Sequence, residues 1–147
     1  MIRYELLATN KINEVVKMMQ DFYAIDNYHI DVAIAKKLFG EFIANENSGK
    51  CYLIYSEQEI VGYFILTFIF SFEYKGRLAF LDEIFIRDGA RGQGIGQSAI
   101  EFIKAEARNL NIKMMYLEVE NHNHLAQKLY LANGFELHNR KIMKHKC

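Results

Sequence analysis

The chain has 147 residues, enough for a single domain with one sizeable core that needs neither disulfide nor metal. Lys+Arg and Asp+Glu both number 18, which excludes a strongly basic nucleic-acid binder and a charged disordered tail. Cys51 and Cys147 stand far apart, with no CxxC or Cys/His ligand spacing, so neither zinc nor a disulfide framework is expected. The N-terminus lacks the apolar stretch of a signal peptide, and the longest apolar run, Tyr63 to Phe70, is too short to cross a bilayer; a cytoplasmic protein without membrane partners is expected.

Ile2 to Ala8 reads as a first strand. Asn10 then caps a helix whose apolar positions Ile12, Val15, Val16, Met19, Phe22 and Tyr23 recur at helical spacing. Asp31 caps a second helix, with Ile34, Leu38, Phe42 and Ile43 along one side, and Asn45 to Lys50 is the loop that ends it. Cys51 to Tyr55, Ile60 to Phe70 and Leu78 to Ile86 are rich in β-branched and aromatic residues between polar turns, and form a meander of three strands. From Ile95 the period becomes helical, with Ile95, Ala99, Phe102, Ala107 and Leu110 inward, and Met114 to Val119 follows as a strand, closing a βαβ crossover. Asn123 caps a helix carrying Leu125, Ala126, Leu129 and Tyr130, which stops at Asn133-Gly134. Phe135 to His138 and Ile142 to His145 read as weak final strands. With no repeats or linkers, residues 1–147 form one α/β domain, a mixed sheet of six to seven strands flanked by about four helices.

The segment FIRDGARGQGIG places glycines at 89, 92, 94 and 96 between the end of a strand and the start of a helix. Glycines allow a tight turn and close approach of a ligand to the backbone, and the free N–H groups of a first helical turn attract anions, so a diphosphate fits. A P-loop requires Lys where Ile95 stands, and a dinucleotide fingerprint requires Gly where Gln97 stands, although Glu118 or Glu120 lies near the ribose-binding position. A connecting turn is the simpler alternative.

Arg91-Gly92-Gln93-Gly94-Ile95-Gly96 resembles the R/Q-x-x-G-x-G/A pyrophosphate loop of the GNAT family of N-acetyltransferases. LEVENHNHLAQKLYLANGF, from Leu117 to Phe135, is similar to a later motif of the same family, matched at Asn123, Ala126, Leu129, Tyr130, Gly134 and Phe135. The run TFIFSFEYKGRLAFLDEIFI looks similar, more loosely, to the polyamine and thialysine acetyltransferase branch. The resemblance implies an enzyme that moves an acetyl group from acetyl-CoA to an amine, without metal. It implies cofactor contacts from Arg91 to Gln97, from the main chain of Ile84, Phe85 and Ile86, and from Asn123, Ala126 and Lys128. Arg91 and Lys128 are phosphate partners or solvated charges, and Asn123 holds the cofactor or simply caps its helix. Dimers are common among enzymes of this resemblance, which leaves a homodimer open.

Acetyl transfer needs a deprotonated amine, a polarised thioester and a proton for the departing thiolate. An alkylamine has a pKa near ~10, so a base or water chain must remove a proton before attack. Asp82 and Glu83 are the acidic candidates, in a strand apolar on both faces where carboxylates are costly unless paired or employed. Alternation sends them to opposite faces, one lining the acceptor site, the other structural and paired with Arg77 or Arg91. Glu83 is the expected proton acceptor and Asp82 the contact to a cationic acceptor. Tyr130, with a phenol pKa near ~10, suits the leaving-group proton, its alternative being a core aromatic. Tyr23, Asp26 and Tyr28, beside His29 and Asp31, contact substrate or form a plain helix connection. A small cationic amine is favoured as acceptor; a protein amine, a non-catalytic acyl-CoA-binding module and a nucleotide-dependent oxidoreductase are the rivals.

Overall fold

The computed structural model describes all residues 1–147. Five strands form one sheet in the order β1 (Ile2–Leu6), β2 (Gly49–Ser56), β3 (Glu59–Ser71), β4 (Gly76–Ile86) and β5 (Met115–Leu117). The first three pairings are antiparallel; β4 and β5 are parallel and joined by α3 (Ile95–Asn109), the expected βαβ crossover. Helices α1 (Ile12–Ala24), α2 (Val32–Ala44) and α4 (His124–Ala132) complete the domain.

Strands β2 and β3 are apolar on both faces because both faces are covered. Leu53, Tyr55, Tyr63 and Ile65 point to one side, where Val15, Val16 and Met18 of α1 and Ala35 and Phe39 of α2 pack on them. Tyr52, Ile54, Phe64 and Leu66 point to the other, against Ile95, Ala99, Ile100 and Ile103 of α3. Each fully buried large side chain contributes about 1.5–3 kcal/mol relative to exposure, so the sheet's position between the helices is fixed by both layers. Gly62 permits the tight β3–β4 contact: a Cβ there would lie 2.2 Å from the Phe85 carbonyl oxygen.

Several expectations change in the structure. Asn10 does not cap the first helix; a short 3-10 turn at Thr9–Lys11 precedes α1, which starts without a side-chain cap. Asp31 does cap α2, accepting from the Ile34 N–H at 3.1 Å, and Gly134 takes a left-handed φ of 90° just after α4. The strand expected at Met114 to Val119 is only three residues long. The sheet has five strands rather than six or seven, because Phe135 to His138 and Ile142 to His145 join no ladder. Charged residues break up that tail and Ile142 and Met143 remain exposed, so it has no apolar face to bury. Side chains hold it instead: Arg140 makes two 2.8 Å bonds to the Glu73 carboxylate, and His138 lies against Tyr116.

Candidate functional site

Two irregularities of β4 build the site. The first is a bulge. Ile65 of β3 stands opposite Glu83 and Leu66 stands opposite Leu81, which leaves Asp82 as an extra residue without a partner. The bulge inverts the alternation beyond it: Leu81 belongs to the α3 side, whereas Phe85, an even number of residues later, belongs to the α1 side. Asp82 and Glu83 are therefore not divided between opposite faces, and both reach the same place. The second irregularity is a splay. β5 pairs only with Ala79, Phe80 and Leu81, so from Asp82 to Ile86 one edge of β4 has no neighbouring strand. A cleft of about 790 Å³ opens there, between Ile84 to Ile86 on one wall and Asn123, Ala126 and Tyr130 on the other.

The glycine loop closes one end of this cleft. Gly92 and Gly94 take left-handed φ angles of 75° and 78°, and a Cβ on either would meet nothing within 4 Å. Their small size is thus not demanded by protein packing; it keeps open the space in front of the loop. The N–H groups of Gly92, Gln93, Gly94, Ile95, Gly96 and Gln97 have no acceptor within the protein, and the next donor, Ser98 N–H, returns to the Gly94 carbonyl at 3.1 Å. Six free amides at a helix N-terminus form an anion cradle of the kind suited to a diphosphate. Arg91 is anchored beside it, donating from Nε to the Ile86 carbonyl at 2.9 Å and pairing with Asp88 at 2.7 Å.

On the other side of Asp82 and Glu83 lies a second cavity, of about 410 Å³, between α1, α2 and the sheet. The two cavities share only these two residues. Glu83 is held by two phenols: the Tyr23 hydroxyl donates to Oε2 at 2.5 Å and the Tyr63 hydroxyl to Oε1 at 2.7 Å. Burial pushes the Glu83 carboxyl above its ordinary pKa, the two hydrogen bonds pull it part of the way back, and the neighbouring Asp82 charge adds to the rise. Burial alone raises Asp82. Burial, and then the Glu83 carboxylate, drive Tyr23 and Tyr63 far above the usual phenol range, so both remain donors.

The other expected residues divide clearly. Gly92, Gly94, Ile95, Gly96, Asn123, Ala126 and Tyr130 line the larger cleft, as does Asp26; Tyr23 and Tyr28 line the smaller cavity. Neither Arg77 nor Arg91 pairs with the acidic residues: Arg77 bonds to Asn47 and stacks on Phe68. Gln97 turns its side chain away, exchanging 2.8 Å hydrogen bonds with Asn133, and Lys128 is exposed on α4 outside the cleft lining. The Asn123 side chain accepts from the Ala126 N–H at 3.1 Å and so caps α4 while its helix forms the cleft wall. Burial raises the Tyr130 hydroxyl, its ring edge-on to Phe135. Sequence reasoning missed Tyr63, because a tyrosine inside a long apolar strand looks like core; the strand register sets it opposite Phe85 and diagonally across from Glu83, within reach of that carboxylate. Cys51 is buried, and burial pushes its thiol up, so it is no nucleophile. No group of His, Cys, Asp and Glu side chains is arranged to hold a metal, and no helix is long and apolar enough to cross a membrane.

The chain resembles known proteins in both sequence and fold. The chain is 28% identical over 132 residues to the thialysine N-epsilon-acetyltransferase of Bos taurus, covering 88% of this chain and 72% of that one. An integron cassette protein from the mobile metagenome of Cole Harbour Salt Marsh superposes with a TM-score of 0.87 at 26% identity, over 97% of this chain and 89% of that one. A predicted acetyltransferase from Clostridium acetobutylicum, whose crystal structure contains acetyl-CoA, shares the fold with a TM-score of 0.80 at 20% identity, over 99% and 96% of the two chains. The profile of the Acetyltransferase (GNAT) family matches residues 13–135, which span the bulge, the splay and the glycine loop, and the chain belongs to that family.

Proposed function

We propose that the protein moves the acetyl group of acetyl-CoA to a small cationic primary amine by direct attack in a ternary complex. Acetyl-CoA supplies the thioester whose carbonyl carbon is the electrophile. The six free amides of the glycine loop suit its diphosphate, with Arg91 at the edge. The unpaired edge of β4 at Ile84 to Ile86 suits the amide-bearing pantetheine arm, with Asn123 and Ala126 on the facing wall.

The amine enters through the smaller cavity. Asp82 attracts it as an ammonium ion, and Glu83 accepts its proton, since a carboxyl raised by burial is a better base than an exposed one. The nitrogen lone pair then forms the C–N bond as the C–S bond breaks, and Tyr130 gives its proton to the departing sulfur. The second proton that the nitrogen sheds as it becomes an amide restores the Tyr130 phenol by way of solvent, while Glu83 releases its proton to water. Burial keeps that phenol protonated until it is needed. The observation that carries this reading is that the two cavities meet only at Asp82 and Glu83, the point where an amine from one side reaches a thioester from the other.

Thermal unfolding with acetyl-CoA and, separately, with NADH tests the cleft. At a hundredfold excess over Kd a ligand specific for the folded state adds about 2.7 kcal/mol, or roughly 5–10 °C at this chain length. A shift with acetyl-CoA alone is expected, together with CoA release in the presence of amines that falls about 10²-fold or more in Tyr130→Phe. Absence of any shift at saturating acetyl-CoA overturns the proposal.

A further inference from the structure

The smaller cavity has a composition that selects among amines. Its acidic end is Asp82 and Glu83, but most of its wall is apolar: Ile30, Ile34 and Leu38, with Phe39, Phe42 and Ile65 behind them. No lysine, arginine or histidine lines it. The remaining carboxylate, Asp31, is committed to the N-terminus of α2 through the Ile34 N–H, and the remaining polar lining consists of the two phenols Tyr23 and Tyr28 and the Thr67 hydroxyl.

We infer that the acceptor is a monoamine with an apolar body and no carboxylate, an inference that rests on the acetyltransfer reading and narrows it. Three classes of amine present different second groups to this wall. An amino acid brings a carboxylate, which finds no counter-charge in the cavity and faces three acidic side chains; a buried unpaired carboxylate is strongly disfavoured. A diamine or polyamine brings a second ammonium, which has to leave water for a wall of isoleucine, leucine and phenylalanine, where the one anion away from the acidic end, Asp31, already accepts from the Ile34 N–H. An alkyl or arylalkyl chain brings only apolar surface, which this wall removes from water at a gain for each methylene. The cavity volume, about 410 Å³, falls within the usual range for small-molecule sites. Ile34 and Leu38 line the cavity and are 55% and 56% exposed, so its mouth presents apolar surface to solvent.

A matched series with a five-carbon chain tests this: pentylamine, cadaverine, which adds a second ammonium, and lysine, which adds a carboxylate as well. The expected order of kcat/KM is pentylamine above cadaverine above lysine, with at least about a tenfold gap between the first and the last. Within propylamine to hexylamine, kcat/KM rises roughly three- to fourfold per methylene. Leu38→Asp, at an exposed position of α2, places an anion at the mouth and moves the preference several-fold from pentylamine towards cadaverine. Acetylation in which cadaverine or lysine equals or exceeds pentylamine overturns the inference and leaves acetyl transfer standing. Should no amine be acetylated, the acetyltransfer reading fails, and calorimetric titration of the same three amines into the protein saturated with CoA tests the cavity by itself: tighter binding of pentylamine upholds its selection of an apolar monoamine, and equal or inverted affinities overturn it.

Discussion

Gly94 separates the two things a glycine loop can be, a turn or a cradle. Its φ of 78° and ψ of 8° are left-handed, and a Cβ built on it touches no protein atom. Gly94→Ala therefore costs only the conformational penalty, about 1–2 kcal/mol, and lowers Tm by roughly 2–8 °C. Asn and Asp tolerate the left-handed region better, so Gly94→Asn and Gly94→Asp stay closer to wild-type stability. Their effect on ligand is different, because the side chain fills the space faced by the six free amides. An Asp carboxylate about 5 Å from a bound diphosphate meets a repulsion of roughly 1 kcal/mol per phosphate charge in a water-like environment and about 3 kcal/mol at an intermediate dielectric. Gly94→Asp is thus expected to weaken CoA by about 5- to 150-fold, more than Gly94→Asn, and raising the salt concentration should shrink the difference between them. Calorimetric titration of CoA and thermal unfolding of the free proteins give both quantities. Wild-type affinity in Gly94→Asp and Gly94→Asn at low salt would show that the diphosphate lies elsewhere and that the loop is only a connection.

Two further outcomes concern the acidic end. Glu83→Gln should lower kcat by about 10²–10⁴-fold with a smaller change in KM, and recover part of the loss near pH ~10, where the amine deprotonates without help; a loss that stays constant with pH, measured by CoA release, would argue against a base role. Tyr63→Phe removes a donor to the ionised carboxylate, worth about 1.5–3 kcal/mol, so the Glu83 pKa rises further and the acid limb of kcat/KM moves to higher pH. An unmoved acid limb in a folded Tyr63→Phe protein would mean that Glu83 does not govern it.

Elements with one dominant local cause were legible in the sequence. The helical stripe of α3, the three-strand meander, the Asp31 and Asn123 caps and the stop at Gly134 each depend on residues within a few positions of one another. The acidic pair and the glycine loop stood out for the same reason, an unusual residue type in a strongly apolar or strongly turning context. What depended on pairing across the sheet was not legible. Register decides that Asp82 is the bulged residue, that Tyr63 stands diagonally across from Glu83, and that β5 stops at Leu117 and leaves β4 open. The final strands were misread because alternation in Phe135 to His138 has no neighbour to bury it against.

The bulge and the splay are best understood as one device. A regular β4 would send Asp82 and Glu83 to opposite faces, one into the apolar layer under α3 and the other towards α1, and only one carboxylate could reach an incoming amine. The extra residue at Asp82 brings both to the boundary of the two cavities and restores an apolar pattern on each side afterwards, with Phe85 facing α1 and Ile84 and Ile86 facing α3. β5 ends opposite Leu81, the last residue before that bulge, so the unpaired edge of β4 begins where the carboxylates do. A thioester lying along that edge, as proposed, would be held beside the acids by the same few residues that open the cleft. Changes that regularise β4 should therefore damage amine deprotonation and cofactor placement together.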